Sequence, residues 1–246
     1  MSFGIDTRAA TPFNEDMSVD FDSIDRLTDF YQGAGATGIT IPGILGEANK
    51  LEPDESRAIL KRVIKRSRVP IVVGASSPSF AAMRSLAREA MDAGAAGVML
   101  APASHLRSDE QIAAYSQNAV AAIGEDVPWV LQDYPLTLSV IISVPMIARL
   151  MAAHPSCVML KAEDWPGLEK ISALRRLQAS GDLRRFSILT ANGGLFLDFE
   201  PERGVRRIDD RLCVPGHAGR TRPAASAGAA GGRARSLRCP SSAHPI

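Results

Sequence analysis

The 246-residue chain holds five lysines, and one stands apart by position. Lys161 ends the apolar run Val158-Met159-Leu160, whereas Lys50, Lys61, Lys65 and Lys170 fall in polar helical or loop contexts where a solvated charge is the ordinary explanation. An ammonium at the end of an apolar strand is partly desolvated. Its pKa then falls, and the neutral amine becomes available as a nucleophile toward a ketone. The competing reading is a structural ion pair with Glu163 or Asp164. Other chemistry is sparse. The three cysteines (Cys157, Cys213, Cys239) are widely spaced and odd in number, which argues against a disulfide framework or a CxxC metal or redox site. His105 has no second ligand at metal spacing and reads as a surface loop residue, and no metal or organic cofactor is expected.

The elements that must position Lys161 are legible from the hydrophobic pattern. Apolar, β-prone runs lie at Gly38–Gly43, Val69–Gly74, Gly97–Pro102, Pro128–Tyr134, Cys157–Glu163 and Phe186–Asn192. Their spacing of about 30 residues is the length of one βα unit. Helical patterns fill the gaps: one capped by Asp22 or Ser23 and running toward Tyr31, then Glu52–Ser67, Ser79–Ala93, a segment opened by Ser108, Val144–Ala153 and Gly167–Ala179. Strands that are apolar on both faces imply a parallel sheet covered by helices, either doubly wound or a (βα)8 (TIM) barrel. No GxGxxG or GxxxxGK[ST] motif supports the nucleotide-binding open sheets. Polar residues at the strand C-termini favour the barrel, whose active site sits on that face. A weak first strand near Thr7–Thr11 brings the count to about seven by residue 192, and an eighth is expected soon after Gly204.

Composition fits this reading. With 46% hydrophobic and 22% charged residues the chain suits a soluble α/β protein with one core. It contains no apolar stretch of the roughly 18 to 20 residues that would span a bilayer, and Met1–Phe13 lacks a secretory pattern. No membrane association and a cytoplasmic location are expected. The net charge of +1 conceals an asymmetry: residues 1–200 hold 19 basic and 24 acidic residues, a charge of −5, while residues 201–246 hold nine and three, a charge of +6.

Four segments carry a family resemblance: Thr11-Pro12-Phe13, Gly43-Ile44-Leu45-Gly46-Glu47, the Pro128–Pro135 strand and Met159-Leu160-Lys161. In order and spacing they resemble the dihydrodipicolinate synthase / N-acetylneuraminate lyase family over about residues 3–204. The resemblance implies a (βα)8 barrel acting as a class I aldolase, dehydratase or lyase on pyruvate or another 2-keto acid. It implies a Schiff base formed through Lys161, a small-molecule 2-keto acid as the partner, and a homo-oligomer, commonly a tetramer. The family's loop after the second strand is usually Gly-Thr-Thr-Gly-Glu, so here Ile44 and Leu45 keep the backbone amides for a substrate carboxylate and lose both hydroxyls. The usual Tyr-Asn-x-Pro becomes Gln132-Asp133-Tyr134-Pro135, and an amide does not replace a phenol in proton transfer.

Strand alternation supplies substitutes. Tyr134 shares a face with Gln132 about 6–7 Å further along, and Glu163 bears the same relation to Lys161. Tyr134 or Glu163 is expected to do the acid/base work while Gln132 hydrogen-bonds substrate; the bland reading of Tyr134 is a rim aromatic packed beside Pro135. Gly43, Ile44, Leu45, Gly46 and Glu47 form the expected substrate-binding loop, with Glu47 accepting hydrogen bonds from the loop itself. Amides at Asn192 and Gly193 either hold a carboxylate or form a plain turn.

The family pattern stops near Gly204. Residues 1–204 are read as the barrel, incomplete at about seven strands, and 205–246 as a disordered or frameshifted tail rich in Arg, Ala, Gly and Pro. With freely chosen codons, skipping one base in Arg207–Arg220 reads Gly-Ser-Met-Thr-Gly-Tyr-Val-Phe-Pro-Asp-Met-Leu-Val, which resembles a family eighth strand and helix start. The tail has no lysine and no interleaved aromatic, so no nucleic-acid partner is expected. The alternative function is none: a truncated or degenerate, non-catalytic barrel.

Overall fold

The structure is a computed structural model that describes residues 7–44, 46–191, 196, 199–205 and 207–208. Eight strands form one sheet in sequential order, every neighbouring pair parallel. They are β1 (Thr7–Arg8), β2 (Ile39–Ile41), β3 (Ile71–Gly74), β4 (Gly97–Leu100), β5 (Trp129–Asp133), β6 (Cys157–Ala162), β7 (Ser187–Thr190) and β8 (Arg207–Ile208). All six runs read as strands in the sequence are strands. The eighth, expected after Gly204, is a two-residue ladder on β7, so the sheet continues past the proposed barrel boundary. No β8–β1 ladder occurs among the described residues. Residues 206 and 209–246, the bulk of the proposed tail, lie outside the described residues.

The helices are α1 (Phe21–Gly33), α2 (Pro53–Arg66), α3 (Phe80–Asp92), α4 (Asp109–Ile123), α5 (Pro135–Leu138), α6 (Val144–Ala153) and α7 (Leu168–Ser180), and all but the four-residue α5 bury one face. α2 starts with Pro53 and a reciprocal capping box between Glu52 and Glu55, and buries Ile59, Leu60 and Val63. Ser79, Ser108 and Ser143 cap α3, α4 and α6 through the amides of Ala82, Gln111 and Met146. The cap of α1 is Asp20, which accepts from the Ser23 amide, rather than Asp22 or Ser23. A carboxylate two positions earlier reaches the orphan donor that the other two cannot.

Residues alternate between two packed layers. Val72, Met99, Val130, Met159 and Leu189, one from each of β3 to β7, form a small buried cluster on the inner face of the sheet. The opposite parity, including Val73, Leu100, Leu131, Leu160 and Ile188, joins the large cluster between sheet and helices. Burying each such side chain is worth roughly 1.5–3 kcal/mol. Adjacent strands approach closely at their C-terminal ends: a Cβ on Gly74 would lie 2.3 Å from the Pro42 carbonyl oxygen, so only glycine fits between β2 and β3 there.

Candidate active site

The two-layer parity decides which polar groups meet. Gln132 and Lys161 are register partners on β5 and β6, two residues beyond the inner-face residues Val130 and Met159, so both point inward. Glu163 follows with the same parity. Its amide donates to the Asp133 carbonyl at 2.8 Å, extending the ladder one step past β6. Lys161 and Glu163 are both fully buried, with Lys161 Nζ 4.0 Å from Glu163 Oε2. The Gln132 amide donates to that same Oε2 at 2.7 Å. Three of the residues singled out in the sequence therefore meet, around a carboxylate aimed at the lysine, and Asp164 belongs to a different cluster.

That cluster faces the helices. Asp133, adjacent to Gln132 but of opposite parity, is completely buried and receives Lys170 Nζ on Oδ2 at 2.7 Å. The same ammonium lies 2.7 Å from Asp164 Oδ2. The sequence reading of Lys170 as a solvated surface charge is therefore corrected: its side chain is only 11% exposed. The Asp133 carboxyl is raised to about 6, chiefly by burial, with Lys170 pulling it down and the neighbouring charges of Asp164 and Glu163 pushing it up. Desolvation wins although the ammonium is in contact. Two signals pointed to this pair: a carboxylate inside an apolar strand needs a partner, and a lysine in the first turn of α7 opposes the helix dipole unless acids offset it.

The remaining candidates lie at loop ends. Tyr134 is half-buried at the N-cap of α5, a short helix not expected from the sequence, and its carbonyl accepts from the Leu138 amide at 3.0 Å. In the loop after β2, Gly43 and Ile44 offer their carbonyls to the amides of Ala48 and Glu47, each at 3.2 Å. Thr11 Oγ1 donates to the Gly46 carbonyl at 2.6 Å, tying this loop to the segment after β1. Glu47 adopts a left-handed conformation (φ 54°) and forms a partly exposed ion pair with Lys50 at 3.0 Å. Leu45, Asn192 and Gly193 lie outside the described residues. His105 is exposed in a turn. Among the described residues no group of three or more His, Cys, Asp or Glu is placed to hold a metal, and no helix is long and apolar enough to cross a membrane.

A sequential parallel sheet with helices on its outer face and a buried lysine near a strand C-terminus defines a TIM-barrel-like α/β protein. The sequence model of the Dihydrodipicolinate synthetase family matches residues 1–176, and the chain belongs to that family. It is 29% identical over 221 residues to a 4-hydroxy-tetrahydrodipicolinate synthase of Gluconacetobacter diazotrophicus, covering 86% of this chain and 72% of the relative. A second such synthase, from Sorangium cellulosum, is 32% identical over 198 residues, covering 79% of this chain and 64% of the relative. A crystal structure of dihydrodipicolinate synthase from Rhodopseudomonas palustris superposes with a TM-score of 0.85 at 56% identity, covering 87% of this chain and 72% of that one. A prophage protein of the family from E. coli K12, solved in complex with pyruvate, shares the fold at 19% identity and a TM-score of 0.74, covering 84% and 69% of the two chains.

Proposed function

We propose that this chain is a lyase or aldolase that forms a Schiff base between Lys161 and a 2-keto acid, on an incomplete (βα)8-type barrel whose last strand is the two-residue β8 at the start of the tail that follows Gly204. Family membership supports the lyase class. The observation that carries the reading is the buried Lys161 with the Glu163 carboxylate 4.0 Å from its amine. Pyruvate, bound by the E. coli relative, is the substrate to try first.

The neutral amine of Lys161 attacks the keto carbon, and its proton passes to the oxygen, giving a carbinolamine. Glu163 in its acid form protonates the hydroxyl, which leaves as water, so that an iminium and a carboxylate remain. That carboxylate then takes a proton from C3; the C–H electrons become the enamine double bond as the iminium π electrons move to nitrogen. The enamine adds to an electrophile or is released by the reverse steps. Gln132 replaces the family's phenol but cannot transfer its proton, so its part is to hold Glu163 by the 2.7 Å hydrogen bond. Tyr134 is the second candidate for proton transfer. The amides of Ile44 and Leu45, with those of Asn192 and Gly193, bind the substrate carboxylate. Because Lys161 carries no exposed surface, substrate entry requires neighbouring groups to part.

Borohydride reduction in the presence of pyruvate tests the reading. A covalent adduct that disappears in Lys161→Ala is expected. A folded wild-type chain that traps none of a panel of 2-keto acids overturns it.

A further inference from the structure

We infer that Lys170 is a positioning residue for the proton-transfer step, holding the Glu163 carboxylate against Lys161 through a two-carboxylate clasp it does not share with substrate. The inference rests on the Schiff-base reading of the same site.

Glu163 lies just beyond the last residue of β6, where ladder pairing alone leaves a chain free to fray. Its backbone is held on one flank by the hydrogen bond from its own amide to the Asp133 carbonyl at 2.8 Å. The other flank is held through its neighbour Asp164, whose Oδ2 lies 2.7 Å from Lys170 Nζ. Lys170 closes the arrangement by contacting Asp133 Oδ2 at the same distance. One ammonium on α7 therefore binds the end of β5 to the loop after β6, and Glu163 lies on the backbone between those two fixed points. With Asp133 and Asp164 drawn outward, parity leaves the Glu163 side chain directed inward, where it meets Gln132 and Lys161. The clasp is on the helix side of the sheet, so Lys170 touches neither the lysine nor the substrate. Its burial separates it from an ordinary surface pair: with a side chain 11% exposed, the ammonium has little water to replace a lost carboxylate.

Two readouts separate positioning from general structure. The final extent of borohydride trapping after prolonged incubation with pyruvate reports the Lys161 iminium, whose equilibrium level a slowed dehydration does not change, and the rate at which the pyruvate methyl proton signal is lost in D2O reports proton removal by Glu163. In Lys170→Met, trapping is expected to stay within about 2-fold of wild type while methyl exchange slows about 10- to 100-fold, the scale on which misplacing a catalytic group by an ångström acts. Lys170→Arg, which can bridge two carboxylates, is expected to recover part of the exchange rate. Unchanged exchange in Lys170→Met overturns the inference, as does a parallel loss of trapping and exchange in a folded protein. If Lys170→Met does not fold, Asp164→Asn, which removes one partly exposed arm of the clasp, is judged by the same trapping extent and exchange rate. Wild-type protein that traps no keto acid overturns the Schiff-base reading itself, a result distinct from normal trapping with unaltered exchange in the variants.

Discussion

Replacing Asp133 by Asn is expected to flatten the pH dependence of stability. The carboxyl is fully buried, and its folded-state pKa rises from 3.8 to about 6 despite a lysine 2.7 Å away. Below pH 3.8 folded and unfolded chains both carry the proton, and the group contributes nothing. Between 3.8 and 6 the unfolded chain ionises while the folded chain keeps its proton, so stability falls as pH rises. Above the folded value the penalty is complete. Raising the carboxyl from 3.8 to about 6 corresponds to about 3 kcal/mol, of which roughly 2 kcal/mol is lost between pH 4 and 8. Asparagine imitates the neutral acid and keeps an acceptor for Lys170, so this contribution disappears. Urea unfolding at pH steps from 4 to 8 measures it: with a slope of about 2 kcal/mol per molar, the wild-type midpoint is expected to fall by about 1 M relative to the variant across that range. A constant gap between the two proteins would refute the reasoning, because it would mean that the attraction of Lys170 fully offsets the desolvation of Asp133.

Glu163→Gln is expected to slow pyruvate methyl exchange by about 10²- to 10⁴-fold, the usual worth of a general base, while Tyr134→Phe slows it less than 10-fold. The reverse order in the same NMR assay would transfer the acid/base role to the tyrosine. Gly74→Ala is expected to cost about 3 kcal/mol, at the upper end of overpacking effects, because the added carbon meets a backbone oxygen at 2.3 Å. A denaturation midpoint within about 1 kcal/mol of wild type would show that β2 and β3 can move apart at that point.

The fold was legible wherever one signal dominated. Continuous apolar runs located β2 to β7 because a strand buried on both faces leaves that trace whatever its partners, though every run except Val69–Gly74 overshot into the loop that follows. The helix starts at Ser79 and Ser108 were readable because a serine stood next to the first apolar turn. The start of α1 was missed, since Asp20, Asp22 and Ser23 all suit the position and only backbone geometry chooses between them. At the site, alternation along β5 and β6 brought Gln132, Lys161 and Glu163 to one face, and their meeting followed from register alone. Lys170 was misread because exposure was judged from its polar neighbours in sequence, whereas its partners are 37 residues before it on β5 and six residues before it in the loop after β6. Local pattern shows that such a charge needs a partner but does not name it. Glu47 also pairs with a lysine three residues along, a partner the sequence reading did not include.

Adjacent residues on β5 serve opposite compartments, Gln132 beside the buried Lys161 and Glu163, and Asp133 at the helix clasp. A single-residue insertion or deletion upstream in that strand would exchange them, sending a carboxylate to the lysine and an amide into the clasp. The segment can accept changes of side chain one at a time but not changes of length. Divergence here is confined to substitution, and new chemistry that needs an extra residue has to be accommodated in the loops beyond the strand ends.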